Sequence, residues 1–213
     1  MSKQGIIFDM DGTLWDSAEG VAKSWTEVVA EKYTDQRVIT VDEIHGVMGK
    51  TMDVIARLLF PELEKEQSEE LLDHCCKQEN AYLREHGGIL YPDLEETMQT
   101  LQKKYHLYIV SNCQSGYIEA FLDHYKLGHY FEDIECYGNT GEKKAGNIRA
   151  VVARNALTDA VYVGDIQGDY DASCEAGVRF IHAAYGFGTI DRKVPAIGQL
   201  SDLPKVIDGV FAE

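Results

Sequence analysis

An α/β fold with a parallel sheet and one inserted helical unit is what this sequence predicts, on three observations. Short runs rich in Ile, Val, Phe or Tyr alternate with amphipathic helical stretches, the order that builds a parallel sheet joined by crossover helices. Between the first two runs the alternation stops for some 70 residues that carry helical periodicity alone, too many for a crossover. Three of the apolar runs also end in polar strings that carry carboxylates, hydroxyls or amides.

The strand candidates are Gly5–Phe8, His106–Val110, Ile134–Tyr137, Ala160–Val163 and Val178–Ala183. The helix candidates between them are Leu94–Lys104, Gly116–His124, Ala145–Asn155, Gly168–Ala176 and Leu203–Phe211. Right-handed crossovers place the carboxyl ends of all these strands on one edge, where open α/β sheets bind ligands. The inserted unit reads as SAEGVAKSWTEVVAEKY, DEIHGVM, TMDVIARLLF and SEELLDHCCKQENAYLREH, with hinges near Trp15–Ser17 and at Gly87–Gly88. The predicted division is therefore a core of residues 1–16 and 88–213 with an insertion of residues 17–87.

Composition narrows the functions. Apolar residues are 45% and charged residues 26%, which is globular. Lys+Arg number 20 against Asp+Glu 36, a formal charge of −16. So acidic a surface repels nucleic acid and anionic membranes, and neither is expected as a partner. No stretch suits a signal-peptide core or a membrane span. The five cysteines, Cys75, Cys76, Cys113, Cys136 and Cys174, form no CxxC pair; reduced thiols and a cytoplasmic location are expected. The sequence leaves monomer and dimer open.

The chemistry concentrates at the strand ends. After the first strand comes Asp9-Met10-Asp11-Gly12-Thr13, and residues two apart in extended chain face one side. Carboxylates that close repel unless one is protonated or a cation lies between them; Mg2+, which favours carboxylates, water and phosphate oxygens, would resolve the conflict. An EF-hand reading fails because the twelfth position from Asp9 is Gly20. Later strands end in Ser111-Asn112 and in Gly164-Asp165, the latter followed by Asp169. Glu142-Lys143-Lys144 precedes a helix, and a lysine there can neutralise phosphate beside a helix N-terminus. Either lysine could serve, and the Lys144-Ala145-Gly146-Asn147 spacing favours Lys144. Asp171 reads as a solvated helix residue.

These four ordered strings resemble the motifs of the haloacid dehalogenase superfamily, over nearly the whole chain from residue 5 to about 188. The insertion after the first string resembles its cap-bearing branch, which includes phosphoglycolate phosphatase and β-phosphoglucomutase. Leu90-Tyr91-Pro92-Asp93 sits where that branch re-enters the core, with Asp93 at a place often held by glycine. The resemblance implies a Rossmann-like core and a Mg2+-dependent phosphatase for a small phosphomonoester: phosphoglycolate, a sugar phosphate or a nucleotide. It implies Asp9 as nucleophile through an aspartyl-phosphate, and Asp11 as general acid and base. Mg2+ would be held by Asp9, the Asp11 backbone carbonyl and Asp165, with Asp169 orienting the metal's waters or the lysine. Thr13, Ser111 and Asn112 would hold the phosphoryl group, and Lys144 would balance its charge.

Other readings are weaker. Dehalogenases of this superfamily lack the acid that Asp11 supplies. A sugar phosphomutase shares the motifs and remains the alternative; a non-catalytic binding protein would be expected to lack one of the key residues, and all are present. Gly49-Lys50-Thr51 is not a P-loop, since Ile44 stands where the first glycine belongs; Lys50 is a candidate substrate contact from the cap. Tyr185-Gly186-Phe187-Gly188 is expected to rim the site as a flexible loop. The seven histidines show no ligand spacing.

Overall fold

The computed structural model describes residues 3–32 and 37–212; Tyr33, the last residue of the first predicted insertion helix, lies outside them. Strands β1 (Gln4–Phe8), β4 (His106–Ser111), β5 (Asp133–Cys136), β6 (Asp159–Gly164), β7 (Arg179–Ala183) and β8 (Ala196–Ile197) form one six-stranded sheet in the order β5-β4-β1-β6-β7-β8. All its pairings are parallel. β1 lies at the centre because its residues are apolar on both faces: Ile6 and Phe8 enter one core and Ile7 the other, as strand alternation requires.

The helices cover both faces. α5 (Leu94–Leu101), α6 (Tyr117–Tyr125) and α10 (Leu203–Ala212) supply Met98, Phe121 and Ile207 to the core that contains Phe8. On the other face, α8 (Lys144–Arg154) adds Ile148 and Val151 to the core around Ile7. There α9 (Gln167–Ala176) packs its Tyr170 against that core. A four-residue helix, α7 (Tyr137–Thr140), follows β5.

The chain leaves β1, builds β4 and β5 on one side, then returns to build β6, β7 and β8 on the other. The reversal creates a crevice at the carboxyl ends of β1, β4 and β6, the usual ligand site of such sheets.

The insertion forms a helical cap of α1 (Ala18–Lys32), α2 (Val41–Val47), α3 (Met52–Leu59) and α4 (Lys65–His86). Its apolar face is continuous with the core: Trp25, Ile44, Leu72 and Leu83 belong to the same buried cluster as Phe8 and Trp15. Entry and exit are held together by a short antiparallel ribbon, β2 (Trp15–Asp16) with β3 (Ile89–Leu90). Two-residue strands leave no periodicity to read, so the ribbon escapes a sequence pattern that marks only hinges. β8 escapes for the same reason. α5 stops at Leu101 rather than Lys104, where turns onto the Leu101 carbonyl replace the helix. α4 starts three residues before Ser68, because the Gln67 side chain accepts from the Glu64 backbone N–H. Among the described residues no helix is long and apolar enough to cross a membrane.

Candidate active site

Burial and charge converge at the crevice. Asp9 follows β1 and is only 2% exposed. Its Oδ1 accepts from Lys144 Nζ at 2.9 Å, and the same ammonium reaches Asp169 Oδ1 at 2.5 Å. Lys144 is the first residue of α8 and is buried, whereas Lys143 is exposed; the structure brings Lys144 into the site. Burial opposes the charge on Lys144, yet the carboxylates of Asp169 and Asp9 hold its pKa well above the ordinary lysine range.

Asp169, in the first turn of α9, uses both oxygens: Oδ1 on Lys144, and Oδ2 on the backbone N–H groups of Asp165 and Ile166 at 3.0 and 3.2 Å. It thus fixes the lysine, the end of β6 and the start of the helix together. Gly164 belongs to this arrangement, because a Cβ there would lie 2.6 Å from the Asp169 side chain. Asp171, by contrast, lies exposed and accepts from Gln167.

Oxygens of Asp9, Asp165 and Asp169 lie within 4.8 Å of one another. Burial, then the neighbouring charge of Asp169, pushes Asp9 up to about 7 and Asp165 up to about 8. One lysine does not balance these acids, and a divalent cation would. Since Asp169 already takes three donors while Asp9 takes one and Asp165 Oδ2 accepts from the Phe187 N–H at 2.7 Å, Asp9 and Asp165 retain more of the oxygen capacity that suits a hard ion. The donor set therefore fits Mg2+.

The Asp11 carboxylate faces another way. Its Oδ1 accepts from Tyr117 Oη at 2.6 Å and from Ser17 Oγ at 3.0 Å, and burial raises it to about 6. The Asp11 carboxylate is thus separate from the three-acid cluster, which leaves its backbone carbonyl as what it could offer a metal. Tyr117 and Ser17 went unread in the sequence, since a tyrosine opening a helix some hundred residues away gives no local signal.

The polar residues expected around a phosphoryl group lie close by. Thr13 is buried and its Oγ1 has no hydrogen-bond partner among the described residues. Ser111 ends β4 and lines a cavity together with Asn112 and Asp11. Asn112 Nδ2 donates to the cap's Gly49 carbonyl at 2.9 Å, and its Oδ1 is buried without a partner. Lys50, exposed in the loop between α2 and α3, lines the same cavity. The Tyr185–Gly188 segment, expected as a flexible rim, is instead tied down: Tyr185 Oη donates to the Thr13 carbonyl, and a Cβ at Gly186 would strike Gly12 O at 2.3 Å. Its repeated glycines were the available sign of that close approach.

A crevice carrying a buried Asp–Lys pair, a second buried acid and a three-acid cluster defines a hydrolase-type centre on a Rossmann-like sheet. The haloacid dehalogenase-like hydrolase family model matches residues 6–183, and the chain belongs to that family. It is 27% identical to a phosphoglycolate phosphatase of Aquifex aeolicus, an alignment covering 98% of each chain. It is also 27% identical to one of Pseudomonas savastanoi, covering 96% of this chain and 78% of that protein. A haloacid dehalogenase-like hydrolase from Streptococcus pneumoniae superposes with a TM-score of 0.79 at 22% identity over 98% of each chain. A predicted phosphatase from Clostridium acetobutylicum gives 0.79 at 21% identity, covering 98% of this chain and 100% of its own.

Proposed function

We propose that this hydrolase is a Mg2+-dependent phosphatase for a small phosphomonoester, with Asp9 as its nucleophile. One observation carries the reading: the buried Asp9 carboxylate, held by Lys144, stands beside Asp165 in a crevice whose Thr13 hydroxyl lacks a partner. The Asp9 carboxylate attacks phosphorus and the P–O ester bond breaks. Asp11, raised by burial toward neutrality, gives its proton to the leaving oxygen. The resulting Asp11 carboxylate then takes a proton from the water that cleaves the aspartyl-phosphate, releasing phosphate and restoring Asp9.

Tyr117 and Ser17 hold Asp11 in place, Lys144 offsets phosphoryl charge, and Thr13, Ser111 and the Asn112 backbone bind its oxygens. Asp9, Asp165 and the Asp11 carbonyl would hold Mg2+, which supplies charge neutralisation at the phosphate oxygens. Residues 17–87 act as a lid that excludes water and large substrates. The four buried cysteines among the five free thiols suit a reducing cytoplasm.

Phosphate release is measured from a panel of esters that includes phosphoglycolate, sugar phosphates and nucleotides, with Mg2+ or with EDTA, beside Asp9→Asn. Release that requires Mg2+ and is lost in Asp9→Asn is expected. Isomerisation of a sugar phosphate without net release would replace this reading by a phosphomutase.

A further inference from the structure

Between cap and core lies a cavity of about 50 Å³, room for a few water molecules or a short organic group at ~10–15 Å³ per water. Its core wall carries Asp11, Ser111 and Asn112, the groups assigned to the ester oxygen and the phosphoryl group. Its cap wall is largely apolar, built around Trp25, Ile44 and Met52, with Glu79 of α4 as its one acid and Lys50 of the α2–α3 loop as its one cation. Glu79 is only 3% exposed. Its Oε2 accepts from Trp25 Nε1 at 2.6 Å, and the Gln114 side chain, whose amide donates to Asn80, lies close enough to favour its charged form. No cation pairs with it among the described residues.

An acid buried in an apolar wall without a counter-charge is costly, and burial raises it to about 8. A carboxyl that served only to tie α1 to α4 would do so equally well facing a closed interior. Glu79 instead opens on the space that must take the part of the ester beyond the phosphate. Asp11, Glu79 and Lys50 line that space, and ionisation of Glu79 would be favoured by an arriving ammonium and opposed by an arriving carboxylate.

We infer that Glu79 is a specificity-determining residue that receives a hydrogen-bond donor, foremost an ammonium group, on a short leaving group two or three bonds beyond the ester oxygen. The inference rests on the phosphatase reading and names its substrate class: small amino- or hydroxyalkyl phosphates rather than phosphocarboxylates. A site built to pair a donor discriminates strongly against an analogue that lacks it, because its buried acceptor is left without a partner.

The test uses four esters of similar size: 2-aminoethyl, 2-hydroxyethyl and ethyl phosphate, and phosphoglycolate. With Mg2+, kcat/KM is expected to be at least tenfold higher for 2-aminoethyl than for ethyl phosphate, with 2-hydroxyethyl between them and phosphoglycolate lowest. Glu79→Gln keeps the acceptor for Trp25, and it should compress the aminoethyl-to-ethyl ratio at least tenfold. Trp25→Phe removes the tie between the helices without removing the carboxyl, and it should leave the ratio standing. Phosphoglycolate as the best ester, or ester ratios unmoved by Glu79→Gln, overturns the inference while leaving phosphatase action intact.

Binding of the same esters to Asp9→Asn, followed by titration calorimetry, gives a second readout independent of turnover. The same order is expected there, and equal affinities overturn the inference even if no ester is hydrolysed. Absence of hydrolysis together with the predicted binding order would instead count against the phosphatase reading alone.

Discussion

The crevice and the cap each bury acids, and they differ in what stands beside them. At the crevice, Asp9 and Asp169 share the Lys144 ammonium, and the residual negative charge suits a metal ion. In the cap, Glu79 has an indole N–H, with the Gln114 side chain nearby, but no cation among the described residues. The first arrangement has its own lysine and would be completed by a metal ion, whatever the substrate carries beyond phosphate. The second is left to be completed from outside. On the proposed reading, the contrast separates the chemistry assigned to the core from the substrate choice assigned to the cap.

The largest effect that would break this contrast comes from Lys144→Met, which strands two buried carboxylates. It should cost about 3–5 kcal/mol in urea unfolding and abolish turnover; a fold as stable as wild type would mean that the pair is not the anchor described. Asp9→Asn keeps a polar partner for Lys144, so phosphate release should fall by about 10³-fold or more with little change in melting temperature. Tyr117→Phe removes one of the two donors to Asp11, and a hydrogen bond to a charged group is worth about 1.5–3 kcal/mol. It should lower kcat roughly tenfold or more with KM nearly unchanged, whereas a matching rise in KM would place Tyr117 in substrate binding.

Glu79 sharpens the comparison through pH. Its environment comprises Trp25 on α1, Gln114 and Asp11 on the core loops, Tyr117 on α6, and Cys75 and Cys76 on its own helix. The folded state holds the Glu79 proton up to about pH 8, while the unfolded chain releases it near the ordinary value of 4.5. A raised acid contributes no penalty below the unfolded pKa. It costs stability progressively as pH rises through that window, and the full cost is present above about 8. Glu79→Gln removes the cost, so its urea midpoint relative to wild type should rise between pH 5 and pH 8.5. A difference independent of pH would show that Glu79 is ionised in the empty protein.

The smallest effect belongs to Asp93, which takes a left-handed conformation (φ 60°) at the start of α5. Glycine adopts that region without the Cβ cost. Asp93→Gly should therefore change stability by less than about 1 kcal/mol in calorimetry.

Five of the six sheet strands, and the polar strings that follow three of them, were legible because each is local. Asp9, Ser111, Asn112 and Asp165 stand in such strings, whereas Lys144 is read from its place ahead of a helix and the roles of Thr13 and Asp169 from the family resemblance. What escaped depends on distance or brevity. Tyr117 and Ser17 matter only through where Asp11 points. Glu79 reads as one more acid on a strongly charged helix, and nothing but burial against Trp25 separates it from its exposed neighbours. The ribbon of β2 and β3, at two residues a strand, is shorter than any period.

That ribbon has a consequence for how such a molecule can change. Trp15 pairs with Leu90 and Asp16 with Ile89, so the two points where the chain leaves and rejoins the core are fixed at strand spacing. About seventy intervening residues therefore form a closed loop, whose closure cost depends only weakly on length. Changes of length within that loop need not alter the register of the sheet, provided Ser17 and the apolar face packed with Trp15 and Phe8 are kept. The core can then keep the geometry around Asp9 while distal parts of the helical insertion are exchanged, much as a lathe keeps its spindle and changes its chuck.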